Sequence, residues 1–332
     1  MRVLVTGATG LLGNNLVRLL TQSGHEVVCL VRPTYDRRTL VGIDCRIAAG
    51  PWDNDAFLSK ALNSVDAVIH AAAKLHIGWR EIESSIATNV GLTARLAGFA
   101  ARGEMRMIHV STVDALAPAG PFEPKTEAEL EPAKPPSAYV VSKRLAEAEF
   151  LGCVARGLDG LIVNPGFMVG PWDWKPSSGQ MMLSIARRYV PLAPAGGCSV
   201  LDVRDACRGI INALTSGRSG ERYILGGENV TYLELWREIA GLVGSRPPLA
   251  RLFAPISWLA GGAGDLWTAL AGREPLLNSA MVRMGQMHHY YSSGKAQREL
   301  NYQISPYQTA LGDAWHWFLE HGYAAPPRRR SS

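Results

Sequence analysis

Thr6-Gly7-Ala8-Thr9-Gly10-Leu11-Leu12-Gly13 joins a short apolar run, residues 2–6, to a stretch with helical spacing over 11–22. A plain strand-to-helix turn needs one glycine. Three of them, spaced by three, permit a tight turn, close approach of backbone N–H groups to a pyrophosphate, and close packing of helix on strand. The helix N-terminus that follows adds unpaired donors and a partial positive charge. Gly7, Thr9, Gly10, Leu11, Leu12 and Gly13 are therefore the candidate phosphate-binding segment of a dinucleotide site.

Outward from this loop, apolar runs alternate with helical patterns. Strands are expected at 26–31, 66–70, 105–110 and 161–163, and helices around 89–101 and over 137–156. Such alternation implies right-handed crossovers and a parallel sheet covered on both faces. After Pro165 it fades into loops rich in Gly, Pro and Trp, such as Gly170-Pro171-Trp172-Asp173-Trp174. A helix near 202–216 and a strand at 222–225 are expected to return to the main sheet. Thr231 with Glu234 reads as a capping box opening a helix over 232–243. Ser305, Pro306 and Gln308 read as a similar start to a last helix. The expected fold is α/β, a doubly wound parallel sheet with a smaller, mostly helical C-terminal lobe. Residues 1–165, with 197–226 returning, would bind the dinucleotide; 166–196 and 227–325 would form a substrate lobe, and 326–332 a disordered tail.

A chain of 332 residues with 47% apolar and 19% charged residues buries a core without staples and is not a disordered protein. Its five cysteines are scattered and never form a CxxC pair. That pattern fits reduced thiols in the cytoplasm, and neither a disulfide framework nor a zinc site is expected. The net charge of +5 is spread thinly, with one dense run, Arg328-Arg329-Arg330, at the end. No basic stripe for nucleic acid results. The N-terminal apolar run reaches Gly7 too soon for a signal sequence. Residues 252–271 are apolar but interrupted by Pro255, glycines and Asp265. They read as a buried or ligand-facing segment in preference to membrane contact. His288-His289 has no carboxylate or cysteine at ligand spacing beside it, so core or pocket-lining residues are expected in place of a metal site. For His76, Trp79, Trp172 and Trp174, substrate contact and core packing fit equally.

Two further positions carry chemistry. Where an unphosphorylated dinucleotide expects an acid on its ribose hydroxyls, about 20 residues past the glycine loop, this chain has Arg32, with Arg37 and Arg38 close behind. A guanidinium matches a 2′-phosphate, which favours NADP, with NAD the alternative. Tyr139 and Lys143 stand at i and i+4, on one helix face. A phenol of pKa about 10 is a poor proton carrier at neutral pH unless nearby positive charge stabilises its phenolate.

With this pair, the glycine loop, His70-Ala71-Ala72-Ala73, Asn89, Ser111-Thr112, Asn164-Pro165-Gly166 and the closing stretch 293–302, the chain resembles the extended short-chain dehydrogenase/reductase family over nearly its whole length. The nearest branches are the dihydroflavonol-reductase-like and the hopanoid-associated sugar-epimerase-like ones. The resemblance implies a Rossmann domain, and a triad of hydroxyl, tyrosine and lysine: Thr112 (with Ser111 just before it), Tyr139 and Lys143. It also implies a cofactor lined by Ala71, Ala72, Asn89, Tyr139, Lys143, Pro165 and Gly166, and a homodimer. The family's acidic residue for the adenine is replaced by Gly50-Pro51-Trp52, with Asp53 the nearest carboxylate. The expected activity is NADP-dependent interconversion of a carbonyl and an alcohol on a small, apolar or ring-containing substrate. A nucleotide-sugar epimerase or dehydratase with bound NAD, and a non-catalytic dinucleotide sensor, are the rivals.

Overall fold

Val3 and Val5 point to one side of their strand and Leu4 to the other, and all three are fully buried. A strand with no solvent face belongs in the middle of a sheet covered on both sides. The computed structural model, which describes residues 1–128, 134–275 and 277–325, places it there. The expected tail lies outside the described residues.

The chain runs β1 (Arg2–Thr6), α1 (Leu11–Gln22), β2 (Glu26–Val31), β3 (Arg46–Ala49), α2 (Asp55–Leu62), β4 (Ala67–His70), α3 (Ile82–Arg102), β5 (Arg106–Val110), α4 (Ala138–Ala155) and β6 (Gly160–Pro165). It continues through β7 (Phe167–Val169), α5 (Gly179–Arg187), β8 (Leu192–Ala193), β9 (Gly197–Asp202), α6 (Val203–Ser216), β10 (Arg222–Leu225), β11 (Glu228–Thr231) and α7 (Tyr232–Val243). Last come β12 (Ala250–Arg251), α8 (Ala254–Ala271), α9 (Ser279–Gln286), β13 (His288–His289), α10 (Gly294–Leu300) and α11 (Tyr307–Glu320).

Among the described residues seven parallel strands form the main sheet in the order β10-β6-β5-β4-β1-β2-β3. The chain winds outward from β1 to β3, then returns to β4 and winds the other way. The switch point, where ligands settle in such sheets, therefore lies between β1 and β4. One face is sealed by α1, α6 and α10 through residues such as Leu16, Ile210 and Leu300. Leu58, Leu96 and Phe150 of α2, α3 and α4 seal the other.

The C-terminal lobe has its own core of α5, α7 and α11 on β7 and β9, including Leu183, Leu235, Trp317 and Phe318. It also contains a small sheet of β7, β9, β11 and β13, which alternation of apolar and polar residues did not disclose. Of the stretch 197–226, α6 packs on α1 and β10 joins the main sheet, while β9 belongs to the small sheet.

Local chemistry explains the helix ends. The capping box of Thr231 and Glu234 is formed. The similar start expected from Ser305 and Gln308 is not. The last helix opens after Pro306 with no side-chain cap, because the Ser305 hydroxyl turns to Asp205 instead. The buried reading of residues 252–271 is also overturned. They form α8, whose small residues Ser257, Gly261 and Gly264 are buried while Leu259 and Leu270 are 76% and 79% exposed. Glycine, not leucine, makes the packing face here, since it lets the α9 segment approach α8 closely.

Gly13 and Gly10 differ in the room around them. A β-carbon on Gly13 would overlap the Gly7 carbonyl, whereas one on Gly10 would meet nothing nearer than 3.5 Å. Gly13→Ala should therefore cost about 1–3 kcal/mol, the range for overpacking, and lower the melting temperature by several degrees. Gly10→Ala should leave the melting temperature nearly unchanged and weaken dinucleotide binding. Thermal denaturation with a cofactor titration checks both.

Candidate active site

The site forms at the C-terminal edge of the main sheet, where β1, β2, β4, β5 and β6 all end. At the switch point the backbone of Gly7, at φ +75°, lies so close to β4 that a β-carbon would come within 2.8 Å of Ala71 and Ala72. Thr6 accepts the N–H of Ala72 (3.1 Å) and meets His70 Nδ1 (2.7 Å). With Thr93 donating to the Asn89 carbonyl (2.6 Å), its oxygen can accept from His70 Nε2 (3.1 Å). His70 is thus neutral with its proton on Nε2, in keeping with burial, then Lys143, pushing its pKa to about 3.

The N-terminus of α1 is shaped for an anion. Gly10 is its N-cap, no side chain caps it, and no acidic residue stands in its first turn. The space a Gly10 side chain would fill is open. Gly7, Thr9, Gly10, Leu11, Leu12 and Gly13 thus fit a dinucleotide phosphate. Arg32 is exposed just past the end of β2. Arg38 is forked onto Asp36 (2.7 Å), while Arg32 and Arg37 hydrogen-bond or pair with no other described residue. Asp53 is exposed, and Trp52 packs on the α2–α4 side of the sheet. Ala71 is half-buried beside the glycine loop. Pro165 ends β6, and Gly166 follows it with no room for a β-carbon, 2.5 Å from the Ser199 carbonyl.

Asn89 lies one layer below. Its Oδ1 accepts from the Lys74 N–H (2.7 Å), and its Nδ2 donates to the Lys74 carbonyl (3.1 Å) and the Ser142 hydroxyl (2.9 Å). Ser142 in turn donates to the Tyr139 carbonyl (2.8 Å). Asn89 therefore ties the loop after β4 to α4 and has both amide protons engaged within the chain.

Ser111 and Thr112 follow β5, and Ser137 caps α4 so that Tyr139 and Lys143 face them. The Thr112 hydroxyl accepts from the Asp114 N–H (3.2 Å) and also reaches Asp114 Oδ2 (3.3 Å). The Ser111 hydroxyl is buried with no hydrogen-bond partner among the described residues. Burial, then Asp114, pushes the Tyr139 phenol up from its ordinary value, and a hydrogen bond with Thr112 pulls the other way. The Lys143 Nζ donates to the Val110 carbonyl (2.7 Å). Burial lowers Lys143 to about 8, against an upward pull from Glu147. In the protein alone, therefore, Tyr139 carries its proton at neutral pH.

Five residues around this group were not legible as site residues. Asn164 donates both to the Thr112 carbonyl (2.9 Å) and to Glu147 Oε1 (2.9 Å), and Arg222 holds Glu147 Oε2. Glu147 stands one turn beyond Lys143, a spacing that could have revealed it. Asp114, two residues past Thr112, lies 3.0 Å from His289 Nδ1 on β13. His289 is buried; burial opposes its charge, but Asp114 outweighs this and raises its pKa. No spacing in the chain joins Arg222 or His289 to the rest. Trp172 and Trp174 pack against Trp317 and His321, and His76 meets Glu274 (2.8 Å).

Known proteins resemble this chain over most of its length. The profile of the NAD dependent epimerase/dehydratase family matches residues 3–226. A Synechocystis sp. protein provisionally named dihydroflavonol 4-reductase is 32% identical over 96% of this chain and 95% of its own. Sterol demethylase protein B of Methylococcus capsulatus is 31% identical over 97% of this chain and 99% of its own. The crystal structure of a nucleoside-diphosphate-sugar epimerase from Pseudomonas aeruginosa superposes with a TM-score of 0.81 at 27% identity, covering 98% of this chain and 99% of that one.

The lowered Lys143 has a measurable consequence. An unfolded lysine keeps its proton to about 10.5, whereas the folded one sheds it near 8. The desolvation cost is fully present below pH 8 and is relieved as pH rises from about 8 to about 10.5, where the unfolded state binds more protons. Lys143→Met removes this dependence. The melting temperature of the variant relative to wild type should fall as pH goes from 7.5 to 10, and parallel curves across that window would refute the assignment.

Proposed function

The chain belongs to the NAD-dependent epimerase/dehydratase family, and within it we propose an NADP-dependent oxidoreductase that interconverts a carbonyl and an alcohol on a small, apolar or ring-containing substrate. The observation that carries this reading is the meeting of Thr112, Tyr139 and Lys143 beside the anion-shaped end of α1. When bound, the nicotinamide supplies or removes hydride at the substrate carbon. Thr112 holds the substrate oxygen. Tyr139, protonated at neutral pH by burial and by Asp114, donates its proton to that oxygen in the reductive direction. Lys143, fixed on the Val110 carbonyl, is placed to hold the cofactor ribose and to supply positive charge.

Support for an uncharged substrate comes from the arginines of the C-terminal half. Arg204 pairs with Asp202 and Asp313, Arg208 with Asp205, Arg218 with Glu299 and Arg222 with Glu147, while Arg237 bonds the Pro248 and Leu249 carbonyls. These five cations are engaged within the protein, and the exposed Arg246, Arg251 and Arg273 lie around α8. The names of the two enzyme relatives, a dihydroflavonol reductase and a sterol demethylase protein, lean the same way. The reading also takes the protein as a cytoplasmic homodimer.

One observation favours the alternative. Loss of water from a sugar needs an acid or base beyond the tyrosine, and the Asp114–His289 pair stands beside Thr112. A nucleotide-sugar epimerase or dehydratase would keep NAD bound through purification, which spectroscopy of the purified protein would detect.

Tyr139→Phe should lower kcat by about 10²–10⁴-fold, the range for a positioned general acid, with cofactor affinity roughly kept. Turnover within a few-fold of wild type would sink the assignment. For the cofactor, Arg38 is neutralised by Asp36, so Arg32 and Arg37 are the cations at the end of β2 free to meet a 2′-phosphate. A charge-assisted hydrogen bond contributes about 1.5–3 kcal/mol, or roughly a ten- to hundredfold preference for NADP, less whatever solvent screening removes. Kinetics with both cofactors should put NADP ahead in wild type and NAD ahead in Arg32→Asp.

A further inference from the structure

The helix α8 inverts the usual order of a surface helix. At about 100° per residue, Leu259 and Leu270 fall near the centre of its outer face. Leu266 and Ile256 flank that line, and Trp258 and Trp267 lie about a quarter turn to either side. Exposure follows the same order: 76% and 79% at the centre, 62% and 56% next, and 45% and 51% for the two tryptophans. The opposite face is Ser257, Gly261 and Gly264, packed close to the α9 segment. The single charged side chain of α8, Asp265, accepts the Ser279 N–H and is not fully exposed. Leu249 (72% exposed) and Phe253 (69% exposed) extend the apolar surface before the helix begins.

The ends of this surface are basic. Arg246 and Arg251 precede it, and Arg273 follows it, with Arg80 packed beside Gly272. All four are exposed, and none makes a side-chain hydrogen bond or close ion pair with another described residue, although Arg80 acts on Glu81 and Arg251 on Glu234 across longer gaps. The neighbouring acids are engaged: Glu274 with His76 and the Trp79 N–H, and Glu81 with Lys74.

A protein partner would need hydrogen bonds across its interface, on the order of one per 100–200 Å², and the outer face of α8 has almost nothing to bond. A bilayer asks for none. Indole rings at the borders of an apolar stripe, with arginines at its ends, match the boundary between acyl chains and anionic headgroups. No helix among the described residues is long and apolar enough to cross a membrane, so the helix would lie in the interface plane. We propose that α8 docks the protein on an anionic lipid surface.

The docked face is joined to the site. Glu274, just past α8, bonds the Trp79 N–H, and Asn278 donates to the Ile77 carbonyl. The Gly78 carbonyl accepts from Ala138, the residue before Tyr139. Docking would therefore hold the loop next to the catalytic tyrosine close to the bilayer. Passage of an apolar substrate along that route rests on the function proposed above, whereas docking itself does not.

Sedimentation with vesicles tests it without any turnover. Wild-type protein should pellet with phosphatidylcholine vesicles containing about a third phosphatidylglycerol, and far less with phosphatidylcholine alone or in high salt. The double variant L259E/L270E should lose at least tenfold in vesicle affinity while keeping its melting temperature. Wild-type protein that stays in the supernatant with both vesicles would overturn the proposal. So would a wild-type dimer that the double variant converts to monomer without vesicle binding, since the face would then belong to a second copy of the chain.

Discussion

The missing side chain of Gly7 is the constraint on which the arrangement depends. Its own β-carbon would clash with Ala71 and Ala72, and on its other side a β-carbon on Gly13 would clash with the Gly7 carbonyl. The first contact brings the end of β1 against the end of β4. The second draws the first turn of α1 onto the loop, so that the helix N-terminus opens over the switch point. A side chain at Gly7 would also need the left-handed backbone that L-residues rarely adopt. The approach of β1 to β4 and of α1 to the loop therefore rest on two missing side chains, those of Gly7 and Gly13.

A second condition is electrostatic. Glu147 is buried between Arg222, Asn164 and Lys143, and a buried carboxylate without partners would be costly. Arg222 balances its charge, Asn164 links it to the Thr112 carbonyl, and its negative field favours the ammonium of Lys143 that burial opposes. The backbone at Thr112 and the Lys143 ammonium are thus both tied to the Glu147–Arg222 pair. Because Arg222 opens β10 and Glu147 sits on α4, the outermost strand of the main sheet is tied to the helix that carries Tyr139.

How much of this is legible in the sequence depends on whether a feature is local. The glycine loop, the Tyr139–Lys143 spacing, the capping box at Thr231 and the buried strands are short-range patterns, and each is found where its spacing places it. The small sheet is not, since β9 is fully buried and shows no alternation, while β11 and β13 are four and two residues long. The edge strand β3 is mostly exposed and was missed for the opposite reason. Arg222 and His289 reach the site from 75 or more residues beyond Glu147 and Asp114, through strand pairing that no window of sequence contains. The misreading of α8 has a different cause. Counting apolar residues assumes that they are the ones buried, and fails when glycines supply the packing face.

The proton state of Tyr139 connects these levels. A phenol between a carboxylate and a buried ammonium takes its character from whichever charge it feels more. Here the lysine is turned to the Val110 carbonyl, and Asp114 remains close. Burial and Asp114 both raise the Tyr139 phenol from its ordinary value, so it keeps its proton at neutral pH. His289 is the counterweight to Asp114, so a charge on β13, in the C-terminal lobe, bears on a tyrosine in the dinucleotide half. Anything that moves the C-terminal lobe against the main sheet would alter that balance. Asp114 thus joins β13 to the segment that follows β5.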